Sequence, residues 1–176
     1  MKRNFHQILF LLFVLGCAQD PGNPPPNNDS NAAAEPAVYD SEWNDRNAEI
    51  YRYLLADIRE PIPDRICFLT TTPMAAWGET GNWATIPMDE LKSIPLAPEY
   101  RPANEAYLND GHVLEKGTDA KAWMQWISVK RWINDNEVEV EAGVWCCPLG
   151  GGASTTIYEK IDGKWQVKEY GNSWVS

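Results

Sequence analysis

The chain has 176 residues, of which 25 are acidic and 15 basic, giving a net charge of −10. This surplus of carboxylates argues against a nucleic-acid partner, because phosphate binding requires clustered Lys and Arg. It argues equally against a polybasic grip on anionic lipid.

At the N-terminus Met1-Lys2-Arg3 gives a basic start and Ile8 to Leu15 an apolar run, with the small residue Gly16 just before Cys17. The run is well short of the ~20 residues that a membrane span needs. Val14-Leu15-Gly16-Cys17 resembles the lipobox of a bacterial lipoprotein signal. The resemblance implies that residues 1–16 are removed as a signal peptide and that Cys17 is acylated. Several acyl chains, at roughly 0.8 kcal/mol per buried CH2, would then tie the protein stably to a bilayer. It also implies a place in the bacterial cell envelope. Because Ala18 follows Cys17, where inner-membrane retention commonly uses Asp, the expected site is the outer membrane, on its periplasmic face or at the cell surface. Loss of Lys2 and Arg3 would leave 13 basic residues (15 minus 2) against 25 acidic, a net charge of −12.

From Ala18 to Ala37 the chain is mostly Pro, Gly, Asn, Asp, Ser and Ala around Pro24-Pro25-Pro26, without one large apolar side chain. Residues 17–37 therefore read as a lipidated cysteine and a disordered tether, reaching ~60 Å at full extension. Residues 38–176 are enough for one domain with one core.

Ser41 is a candidate helix cap, with Glu42 and Asp45 favourable to the dipole in the first turn. Trp43, Ile50, Tyr51, Leu54, Leu55 and Ile58 recur at helical spacing until Pro61 and Pro63, so a helix is expected over 42–59. Residues 65–72 read as a strand closed by Pro73. The stretch 74–119 is broken by prolines and predicts only short helices at 88–93 and 104–108.

Ala122 to Ile133 is aromatic and β-branched. Asn134-Asp135-Asn136 then provides a turn before Glu137 to Ala142, whose strict alternation sends Val138, Val140 and Ala142 inward and three glutamates to water. Residues 155–161 form a further strand, and Asp162-Gly163 signals a type I' hairpin. Such a turn sets Lys160 opposite Trp165, Tyr158 opposite Val167 and Thr156 opposite Glu169, making Tyr158, Trp165 and Val167 core. The expected fold is α+β: an N-terminal amphipathic helix packed on an antiparallel meander sheet of about four to five strands.

The ending 158–167, Tyr-Glu-Lys-Ile-Asp-Gly-Lys-Trp-Gln-Val, resembles the closing hairpin of nuclear-transport-factor-like cone folds, which include cyclases, dehydratases and non-catalytic domains. It is similar also to small uncharacterised lipoprotein domains. The cone family's extra N-terminal helices and pocket His/Asp pair find no match, so the resemblance assigns no functional residue.

Beyond Cys17, the thiols are Cys67, Cys146 and Cys147, in a compartment that permits disulfides. Cys67 with Cys146 is the preferred pairing, since both fall in expected strands and Cys146 shares a face with Val144 and Val140. Cys147 would be left over as an inert thiol, against the alternatives of a vicinal disulfide, a redox role or intermolecular pairing. His112 is the only imidazole after cleavage, and a Cys-His dyad lacks any marked oxyanion hole. Gly150-Gly151-Gly152 lacks the Lys and helix of a phosphate loop, and no zinc or calcium pattern occurs. No cofactor or metal is implied, and no catalytic residue is assigned.

Nine Trp residues remain. Trp43, Trp145 and Trp165 fit core positions. Trp77 and Trp83 lie in irregular chain, and on the strand 122–133 Trp126 and Trp132 share one face while Trp123 points the other way. Trp77, Trp83 and Trp123, with His112, are therefore the candidate ligand-binding residues. The reading favours a small ligand-binding or protein-interaction domain for a protein or glycan over catalysis. A small hydrolase or isomerase with a cone-like pocket and a structural subunit of an envelope assembly are the alternatives.

Overall fold

In the computed structural model, which describes residues 39–40, 42–56, 58, 65–78, 81–93 and 100–176, the first regular element is helix α1 (Asp45–Ala56). It starts later than the spacing predicts because Asn44 caps it: the Asn47 amide donates to Asn44 Oδ1 at 2.9 Å. The Asn47 side chain then ties down the incoming chain, donating to the carbonyls of Asp40 and Glu42, both at 3.0 Å. The lipobox with Cys17, the tether, Ser41 and the proposed stop at Pro61 and Pro63 lie outside the described residues. One face of α1 buries Ile50, Tyr51 and Leu55, worth about 1.5–3 kcal/mol for each side chain.

Among the described residues eight strands follow: β1 (Ile66–Thr70), β2 (Tyr100–Pro102), β3 (Ala106–Asn109), β4 (His112–Glu115), β5 (Ala122–Asn134), β6 (Glu137–Cys147), β7 (Gly150–Ile161) and β8 (Lys164–Val175). Helix α2 (Met88–Ser93) falls where its sequence predicts. Residues 103–105 form a single 3-10 turn, and 106–109 belong to a strand instead of the expected short helix. The main sheet has six strands in the order β2-β1-β5-β6-β7-β8, and β3 and β4 form a separate hairpin. The fold is mixed and mostly sheet. The four C-terminal strands are the expected antiparallel meander, but β1 adds to β5 in parallel and β2 adds to β1 in parallel. Those two extra strands make the sheet larger than the meander alone.

The sheet is covered on both faces. Against α1 lie Cys67, Leu69, Ile127, Val129, Val138, Val140, Tyr158 and Trp165. The opposite face packs Phe68, Met124 and Trp126 against Trp77 and against Ala106 and Val113 of the β3–β4 hairpin. Helix and sheet are also joined by polar atoms. The Tyr51 hydroxyl accepts the Val129 amide at 3.1 Å, and Trp132 Nε1 donates to Asn47 Oδ1 at 2.8 Å. Burial pushes the Tyr51 phenol well above its ordinary range.

Asp162 and Gly163 both have positive φ, 51° and 74°, as a type I' turn requires. Lys160 faces Trp165 and Tyr158 faces Val167 as the turn dictates, and Tyr158 and Trp165 are buried. Thr156, however, faces Tyr170 instead of Glu169, because β8 carries an extra residue at Lys168. A second bulge, at Lys130 in β5, overturns the face assignment of the tryptophans. Trp132 now sits on the α1 face with Trp123, and Trp126 occupies the other. The same bulge brings Lys130 and Arg131 onto one carboxylate, Glu139, each at 2.7 Å.

The glutamates of β6 are accordingly not a solvated row. Glu139 is buried, and Glu141 receives Trp126 Nε1 at 3.0 Å on one oxygen and the Tyr39 hydroxyl at 2.8 Å on the other. Burial and the Glu141 carboxylate together push the Tyr39 phenol above its usual range. Among the described residues, no helix is long and apolar enough to cross a membrane.

Candidate functional site

Reactive and exposed groups gather where β6 turns into β7. In a regular strand, successive side chains point to opposite faces, so Cys146 and Cys147 should diverge. The β6–β7 ladder slips by one residue there, pairing Trp145 with Gly151 and Cys147 with Gly150 and leaving Cys146 unmatched. The two sulfurs consequently lie side by side, Sγ to Sγ 3.0 Å, and Cys146 Sγ also meets the Gly150 carbonyl at 3.2 Å. Gly150 makes this possible. A Cβ there would fall 2.6 Å from Cys146 Sγ and 2.8 Å from Cys147 Sγ. Burial, with help from the neighbouring Cys147 thiol, pushes Cys146 up to about 12, against a smaller opposing pull from Arg65 and Lys121.

The tip of the β3–β4 hairpin rests beside this turn, since Trp145 Nε1 donates to the Gly111 carbonyl at 2.9 Å. Next to the turn on the other side is the end of β8, where the Trp174 ring stands 6.4 Å from Trp145. Strand β8 closes the order of the sheet and is exposed over most of its length. Four large apolar side chains stand out to solvent along this border: Leu149 (88 % exposed), Tyr170 (65 %), Trp174 (38 %) and Val175 (88 %).

The residues singled out from sequence are distributed unevenly around this end. Cys67, Cys146 and Cys147 all carry thiols and are not disulfide-bonded. The pairing of Cys67 with Cys146 is ruled out by topology. Cys67 is the partner of Trp123 on β5, and Cys146 lies across β5 on β6. Two strand spacings, ~9.6 Å, separate them, beyond the ~7 Å that a disulfide can bridge. Trp123 is half-buried among the side chains of the α1 face, between the strands that carry Cys67 and Cys146.

Trp77, expected to present its ring, is 2 % exposed, packed edge-on against Trp126 and Trp83 at 5.4 and 5.8 Å, with its Nε1 held by the Thr72 carbonyl. Trp83 is half-buried in the same cluster, and its Nε1 is buried without a hydrogen-bond partner. Neither ring can serve as an open stacking platform. His112 pairs with Asn109 at the hairpin and sets its Nδ1 3.1 Å from the Asp110 carbonyl. Among the described residues, no three His, Cys, Asp or Glu side chains converge as metal ligands.

A shallow cleft of about 210 Å³ lies between α2 and β2, lined by Met88, Leu91, Tyr100, Arg101 and Glu105 among others. Its guanidinium is engaged: Arg101 is paired with both Glu105 and Glu115 and lies over the Phe68 ring. Sequence reasoning missed β8 as a border because strand order cannot be read from alternation. It missed the thiol contact because a bulge breaks that alternation. The chain matches no protein-family model, no curated protein and no solved structure.

Proposed function

We propose that this is a lipid-anchored lipoprotein of the bacterial cell envelope, held by acylated Cys17, whose domain binds an extended segment of another protein by strand addition along β8. The observation that carries this reading is the border itself: a twelve-residue strand at the end of the sheet, exposed along most of its length, with Tyr170, Trp174 and Val175 standing out. An added strand takes its affinity from main-chain hydrogen bonds and its specificity from alternate side chains. Lys164, Lys168 and the bulge at Lys168 blunt the first half of this edge, so the stretch open to a partner is its end, Tyr170 to Val175. The net charge of −10 favours a neutral or basic segment.

A phage-displayed library of random peptides, selected on the full chain, tests the reading. Selected peptides are expected to protect the amides of 170–175 from hydrogen exchange, and Tyr170→Lys with Val175→Lys is expected to weaken them at least tenfold. Protection confined to other strands would overturn it. Anchoring is tested separately: Cys17→Ser should move the protein from the membrane fraction to the soluble fraction.

A further inference from the structure

We propose that Cys146 and Cys147 are a redox-active dithiol, a modification site that closes to a vicinal disulfide by exchange with low-molecular-weight disulfides. The backbone prepares the reaction twice over. The bulge at Cys146 cancels the alternation that would send the two side chains apart, and Gly150, opposite Cys147, leaves free the space in which the sulfurs meet. At 3.0 Å the sulfurs are about 1 Å from bonding distance, since an S–S bond measures ≈ 2.05 Å. Both residues are half-exposed, so a small disulfide can reach them, whereas Cys67 is buried.

Either thiol can open the exchange; in one order the attacking thiolate is that of Cys147. It bonds to one sulfur of a small disulfide such as oxidised glutathione and expels the other half as a thiolate. Cys146 then loses its proton to water and attacks Cys147 Sγ in the mixed disulfide, forming the Cys146–Cys147 bond and releasing the second thiolate. Two protein thiols give up two electrons and two protons, and one small disulfide becomes two thiols. Arg65 and Lys121 favour the anionic stage at Cys146.

The test equilibrates the full chain with defined ratios of reduced and oxidised glutathione, followed by acid quench, alkylation, trypsin and mass spectrometry. Cleavage after Arg131 and Lys160 puts both residues in the peptide 132–160, and Cys67 falls in the separate peptide 66–92. On oxidation, the peptide 132–160 is expected to lose two hydrogens and accept no alkyl group, while the Cys67 peptide stays fully alkylated. Cys147→Ser should be glutathionylated at most at Cys146 and never lose two hydrogens. Gly150→Ala should lower the equilibrium constant for closure at least tenfold, because its Cβ occupies the place of the sulfurs. Two alkyl groups on 132–160 under oxidising conditions, a lasting double glutathione adduct, or a disulfide between chains would each overturn the proposal.

Discussion

The indole of Trp126 lies across Gly143 on the neighbouring strand, so close that a Cβ at that position would come within 2.3 Å of the ring and 2.6 Å of the Gly152 carbonyl. Trp126 is fully buried and its Nε1 donates to Glu141, two residues before Gly143 on the same strand. The missing side chain of one residue is thus the space for the largest side chain of the core. Gly143→Ala should destabilise the domain by about 1–3 kcal/mol through overpacking. Urea unfolding followed by Trp fluorescence measures it, and a midpoint unchanged from that of the parent would refute the packing argument.

Asn47 has no exposed surface and uses both polar atoms of its side chain and its amide, serving Trp132, Asp40 and Glu42 from the side chain and Asn44 from the amide. Asn47→Ala would take the acceptor from the Trp132 N–H, at about 1–3 kcal/mol, and release the incoming chain, whose Asp40 and Glu42 carbonyls keep only the Tyr51 hydroxyl and the Asn44 amide. The expected result is a loss of stability larger than for Ala at an exposed helix position such as Glu49. Equal losses at the two sites would show that the network contributes nothing.

Acid should weaken the fold through Glu139. Burial pushes its carboxyl up, but Lys130 and Arg131 together outweigh that and hold it below the ordinary carboxylate range. A carboxyl depressed in the folded state contributes stability that is present above its unfolded value of about 4.3 and is lost as pH falls through the folded one. Unfolding free energy measured from pH 7 down to pH 3 should therefore drop, and Glu139→Gln should flatten part of the drop. A parallel pH curve for the variant would remove Glu139 from the account.

The Asp162-Gly163 turn gives a graded test. With φ at +74°, Gly163→Ala should cost about 1 kcal/mol, whereas Asp162→Asn suits the same turn and should leave stability unchanged or slightly raised. Thermal melts of the two variants separate these outcomes, and a reversed order would mean that the turn does not set the hairpin register.

How much of this was legible beforehand follows from how local each signal is. The spacing of Ile50, Tyr51 and Leu55, the shared inward face of Val138 and Val140, and the Asp-Gly turn each depend on a few neighbouring residues, and each reappears in the structure. Bulges are invisible to that kind of reading. One extra residue at Lys130 moved Trp132 to the α1 face, and another at Cys146 brought two thiols together. The parallel union of β1 with β5 was equally hidden, because nothing in 66–70 names its partner. The burial of Trp77 is decided by Trp126, far along the chain, and no local pattern anticipates it.

The mixed sheet also carries an order of assembly. Strands β5 to β8 are joined by tight turns and each pairs with the next in sequence, so they can zip together as soon as they are made. Strand β1 must wait for Ala122 to Trp126, the stretch against which it lies. Closure over so long a separation is slow. If the chain is produced or exported from its N-terminus, α1 and β1 emerge first yet fold last. During that interval the apolar side of α1 and Phe68 of β1 are open to solvent, and a chaperone that shields them would have its greatest effect on yield.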